Sequence, residues 1–110
     1  VKRKTYHKLI RDKIPQIIIK NKAIPKILKL NDKQFRIALK EKLVEEAREV
    51  LEAKTKEEVL NELSDVLQLI ESIAENNNLS LVEIKKQKEK KKQERGSFKK
   101  KLLLEYVDEP

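Results

Sequence analysis

Five acidic residues have the types and spacing that do chemistry. Glu45, Glu46 and Glu49 form an EExxE pattern, and after twelve intervening residues Glu62 and Asp65 form an ExxD pattern. Residues three apart share a face of an α-helix. Glu46 with Glu49, and Glu62 with Asp65, therefore each read as a two-carboxylate claw. Stepping about 100° per residue aligns Glu62 and Asp65 with Val66, Leu69 and Ile73. Asn61, Ser64, Gln68 and Ser72 make a separate polar arc. On the preceding segment, Glu46 borders the stripe of Leu39, Leu43 and Val50, and Glu49 lies farther out. Carboxylates on a core-facing stripe are costly unless they are paired or bind a metal, and four close together repel strongly. Two antiparallel helices joined by a short turn bring the claws face to face. The pattern therefore predicts a site for one or more divalent cations. Solvated surface glutamates are the competing reading, because EExxE alone is a weak signal and ExxD alone is weaker.

The elements that must position these residues follow from capping signals and periodicity. Asp12 is expected to cap a short helix from Lys13 to about Asn21, with Pro15 tolerated in its first turn. Residues 23–30 contain Pro25 and read as a loop or an edge strand. Asn31 or Asp32 caps a long helix running to about Ala53, with an apolar stripe of Leu39, Leu43, Ala47, Val50 and Leu51. Thr55 followed by Glu58 is a capping-box pattern that opens a helix to about Asn76. Ser80 and Glu83 repeat it for a third long helix, which Gly96 ends. Residues 98–107 (FKKKLLLEYV) read as a strand paired with residues 26–30. The fold class expected is an all-α antiparallel helix bundle with a short terminal β-hairpin, forming one domain over residues 1–110 and completed by a further helix or a second subunit.

Composition narrows the chemistry. The chain has 110 residues and no cysteine, so disulfides and thiolate metal sites are excluded. A metal must be held by carboxylates, carbonyls or His7, which favours the hard ions Mg2+ and Mn2+. Gly96 is the only glycine, which excludes P-loop and Rossmann-type phosphate binding. No Ser–His–Asp or Cys–His set is present for covalent catalysis. The formal net charge of +8 favours anionic partners, although a Lys- and Glu-rich composition is also expected of a protein from a hot environment. No apolar run approaches the roughly 20 residues needed to span a bilayer, and no signal-peptide pattern is visible, so the expected location is the cytoplasm, without a membrane partner.

The acidic signature and its context resemble the MazG-like all-α nucleotide pyrophosphohydrolases. The opening YHKLIRDKIPQII is similar to that of a short, single-domain subgroup often likened to phosphoribosyl-ATP pyrophosphohydrolase. The lysine-rich helix, the RGSF turn and the apolar tail resemble the same subgroup, so the likeness covers nearly the whole chain. It implies that Glu46, Glu49, Glu62 and Asp65 hold Mg2+, and that Glu45 orients water or supports the ligands. It further implies hydrolysis of a nucleoside triphosphate to a monophosphate and pyrophosphate by a homodimer or homotetramer. A variant of that expectation is phosphoribosyl-ATP hydrolysis.

Other positions carry two readings each. Arg11 and Lys13 are candidates for phosphate contact, as are Lys88, Lys91, Lys92 and Arg95, against a plain solvated helix face. His7 stands where the family has asparagine and is read as structural. Phe98 is expected to pack against the core. A basic helical nucleic-acid-binding protein is the alternative of a different class, supported by the lysine-rich segment and the net charge and opposed by the scarcity of aromatics and the lack of a recognisable binding motif. A non-catalytic oligomerisation domain is a third, opposed by the complete acidic quartet.

Overall fold

The computed structural model describes residues 2–110. Its regular elements are four helices, with no strand among the described residues: α1 (Ile14–Lys20), α2 (Asp32–Glu52), α3 (Lys56–Asn76) and α4 (Leu81–Arg95). The chain divides into two compact units, one running to Asn78 and the other from Leu79 to Pro110.

In the first unit, α2 and α3 form the hairpin that positions the acidic residues. A full capping box starts α2. The Asn31 side chain accepts from the Gln34 N–H at 2.8 Å, and the Gln34 side chain accepts from the Asn31 N–H at 3.0 Å. The structure thus selects Asn31 over Asp32 as the cap. At the start of α3, Thr55 Oγ1 accepts from the Glu58 N–H at 3.1 Å. Glu58 reaches one residue further back than in a standard box, accepting from the Lys54 N–H at 2.8 Å. Only Ala53 to Thr55 separate the helices, so they pack antiparallel. The buried core is small: Leu39 from α2, with Leu69 and Ala74 from α3. At the far end the Asn77 side chain donates to the Ile73 carbonyl at 2.8 Å, and Asn78 turns the chain with a φ of 56°. Asparagine tolerates that left-handed region better than most residues.

The hairpin has two different sides. One carries the N-terminal segment, tied down by ion pairs from Lys8 and Arg11. The other carries two apolar stripes, Ile37, Val44 and Leu51 on α2, and Leu60, Leu63 and Leu67 on α3, each about half-exposed or more. At about 100° per residue, both stripes lie roughly 100–160° from their helix's contact line and in the same rotational sense. In an antiparallel pair that places them on one side.

In the second unit, Ser80 and Glu83 form a reciprocal capping box, with bonds of 2.8 and 3.1 Å. These bonds hold the Glu83 carboxyl below the usual carboxylate range. Gly96 ends α4 with a φ of 87°, a conformation glycine adopts without strain.

Several expectations are corrected. Lys13, not Asp12, precedes the first turn of α1, and no side chain caps it. The terminal hairpin does not form: residues 23–30 are irregular, and so are residues 102–107. Lys101 has a φ of 59°, and its N–H turns back to the Phe98 carbonyl. That turn interrupts the extended run a strand would need. Phe98 is 98 % exposed instead of packing in a core. Ala47 and Leu51 also face outward, because the stripe read from the sequence is wider than the face that α2 turns toward α3. No helix is long and apolar enough to cross a membrane.

Candidate metal centre

Glu46 of α2 meets Glu62 and Asp65 of α3, with one carboxylate oxygen from each lying within 4.8 Å of the others. All three are partly buried. Glu62 and Asp65 come together because three residues nearly complete a helical turn. Glu46 joins them because it sits on the edge of α2 that faces α3.

The cluster draws in cations from two directions. Arg11 donates to Asp65 Oδ1 at 2.7 Å. Lys42 lies one turn before Glu46 and approaches it at 3.5 Å, while also reaching Glu45 at 3.3 Å. Lys8 meets Glu45 at 3.7 Å. Burial raises the Glu46 carboxyl above its usual range. Lys42 opposes that rise, and Asp65 and Glu62 add to it. Burial together with the two neighbouring carboxylates outweighs the opposing lysine.

The donor set fits a hard divalent ion. All three donors are carboxylate oxygens, and neighbouring oxygens around an octahedral Mg2+ lie about 3 Å apart. Binding such an ion would draw the three side chains inward from their present spacing.

Of the residues singled out in the sequence, the structure gathers Glu46, Glu62 and Asp65. Glu45 stands beside them, held by two lysines. Glu49 is exposed and lies outside the trio, beside a shallow hollow it shares with Glu52, Glu58 and Glu62. Arg11 is at the cluster, but Lys13 is exposed beside α1. Lys88, Lys91, Lys92 and Arg95 belong to the second unit, are exposed, and form no ion pair among the described residues. His7 is exposed with a φ of 49°.

No family model, curated protein or solved structure matches the chain.

Two features were missed in the sequence. Lys42, itself only 18 % exposed, is the ion-pair partner of Glu46, and its i,i+4 spacing was the available signal. The second is a groove of about 1000 Å³ that starts at the cluster and runs between the N-terminal segment and the α2–α3 hairpin. Phe35 and Leu39 line one wall, and Gln68, Ser72 and Asn76 line another.

Proposed function

We propose that the chain is a Mg2+-dependent nucleotide pyrophosphohydrolase, releasing pyrophosphate and a nucleoside monophosphate. The observation that carries this reading is the carboxylate trio at the mouth of a groove large enough for a small ligand. Glu46, Glu62 and Asp65 would hold Mg2+, or Mn2+ in its place. Bound there, the ion supplies Lewis acidity and a water of lowered pKa. Glu45, outside the trio and held by Lys8 and Lys42, is positioned to accept a proton from an attacking water. Arg11 and Lys42 already stand beside the carboxylates and offset negative charge as a polyphosphate enters and pyrophosphate departs. Phosphorus NMR of the products tests the reaction class. Pyrophosphate with a monophosphate is expected, and orthophosphate with a diphosphate would exclude it.

The reading includes self-association. The two apolar stripes face one side, away from the N-terminal segment, and a second α2–α3 hairpin would cover them as a four-helix bundle. A dimer or tetramer is expected by light scattering, and Leu63→Lys should shift it toward monomer.

A second reading, nucleic-acid binding, draws on one observation. Residues 84–101 contain ten Lys or Arg and two Glu, a net +8 equal to that of the whole chain. Binding to oligonucleotides that weakens steeply with salt, without nucleotide turnover, would favour it.

A further inference from the structure

The N-terminal segment is held against the α2–α3 hairpin by carboxylates at the metal centre. Residues 2–13 carry six Lys or Arg and one Asp, a net +5, whereas α3 carries six Asp or Glu and one Lys, a net −5. Arg11 donates to Asp65 Oδ1 at 2.7 Å, and Lys8 meets Glu45 at 3.7 Å. Among the described residues, no other ion pair or side-chain hydrogen bond ties the segment to the hairpin, and no backbone hydrogen bond does. Leu9 and Ile10 are half-buried, while residues 2–8 and 11–13 are exposed. The same segment, from Lys8 to Asp12, forms one wall of the groove.

Charge decides which contact a divalent ion would displace. When ionised, Glu45, Glu46, Glu62 and Asp65 carry four negative charges, met by three positive charges on Lys8, Arg11 and Lys42. A divalent ion turns that deficit of one positive charge into a surplus of one, and like charges at this range repel. Lys42 is the least exposed of the three cations, is fixed on α2, and pairs with both Glu45 and Glu46. Lys8 pairs with Glu45, outside the trio. Arg11 alone reaches the trio from the irregular segment, and its side chain is the most exposed of the three, at 59 %. It is the cation most easily returned to water.

We infer that residues 2–13 form a metal-responsive strap. In the metal-free chain Arg11 takes the cation's place on Asp65 and holds the strap against the groove. A divalent ion on the trio displaces Arg11, loosens the strap, and leaves the guanidinium free to meet the phosphates of an incoming ligand. The longer Lys8–Glu45 pair is then the one remaining ion-pair tether. This rests on the metal-site reading above and adds a coupling between metal loading and access to the groove.

The chain has no cysteine, so Thr5→Cys and Lys40→Cys, both at exposed positions, accept spin labels on the strap and on α2. Double electron–electron resonance reads the distance between the labels, and calorimetry reads Mg2+ affinity. The labelled parent should give a narrower distance distribution in EDTA than in Mg2+. Arg11→Gln should give the broad distribution already in EDTA. Having lost the competitor, it should bind Mg2+ about two- to fivefold more tightly, the equivalent of one exposed ion pair. Lys13→Gln removes the same charge two residues away without breaking an ion pair, and should match the parent in both measurements. Mg2+ that binds the parent without changing the distances would overturn the strap and leave the metal site standing. So would Mg2+ that binds Arg11→Gln no more tightly than the parent or Lys13→Gln. Failure of Mg2+ to bind either the parent or Arg11→Gln would overturn the metal site and the strap together.

Discussion

Glu46→Gln should stabilise the metal-free chain while abolishing its response to Mg2+. The magnitude follows from the charges around Glu46. Its carboxylate lies within 4.8 Å of two others, and each such pair repels by roughly 3.5 kcal/mol at an effective dielectric of 20. Lys42 at 3.5 Å returns roughly 5 kcal/mol. The imbalance of about 2 kcal/mol falls to about 1 once the mobility of the groups and partial solvent screening are counted. Lys42 keeps Glu45 as a partner at 3.3 Å, so no buried charge is left alone. In EDTA the variant should therefore melt about 4–8 °C above the parent, the range for 1 kcal/mol in a domain of this size. At ten times the dissociation constant, Mg2+ should stabilise the parent by about 1.4 kcal/mol and the variant not at all. Thermal melts at fixed protein concentration measure both. A variant less stable than the parent in EDTA would show that the Lys42 pair outweighs the repulsion. An undiminished Mg2+ response would remove Glu46 from the ligand set.

The same raised carboxyl fixes a pH dependence. The folded chain holds the Glu46 proton more tightly than the unfolded chain, so this stabilising contribution is complete at low pH and is lost as pH rises through the elevated value. Metal-free stability should therefore show a falling component just above the usual carboxylate range, absent in Glu46→Gln melts. Glu83 has the opposite sign: its support of α4 is present near neutral pH and is lost as pH falls through its depressed value. Helicity measured by circular dichroism in the parent should drop there more than in Glu83→Gln. Arg11→Gln should cost under about 1 kcal/mol, because the Arg11–Asp65 pair is exposed. It should nonetheless speed hydrogen exchange in residues 8–13. Leu39→Ala, at 3 % exposure, should cost about 3 kcal/mol in denaturant melts.

The helices were legible because their ends are written locally. Asn31, Thr55 and Ser80 each cap within four residues, so the bounds of α2, α3 and α4 needed no knowledge of distant contacts. The trio was legible for a related reason, since i,i+3 spacing fixes Glu62 beside Asp65, and the angular position of Glu46 turns it toward α3. Glu49 was harder to place. It shares a helix face with Glu46, but whether a second claw closes depends on the crossing of α2 and α3, which no local signal encodes. The terminal hairpin failed because strand pairing is non-local. The run FKKKLLLEYV over 98–107 read as a strand, yet Lys101 enters the left-handed region. The groove was hidden because the N-terminal segment reaches Asp65 across 54 residues of sequence. The polar arc through Gln68 and Ser72 was visible, but not that it faces a cavity.

The central claim is that the Glu46–Glu62–Asp65 cluster supports Mg2+-dependent cleavage of a nucleotide to pyrophosphate. Pyrophosphate release should be followed across canonical and modified nucleoside triphosphates and phosphoribosyl-ATP, with Asp65→Asn and Glu49→Ala beside the parent. The account predicts release by the parent that stops in EDTA and in Asp65→Asn, with Glu49→Ala less impaired because Glu49 lies outside the trio. Full activity in Asp65→Asn, or no release from any of these substrates by the parent, would contradict it.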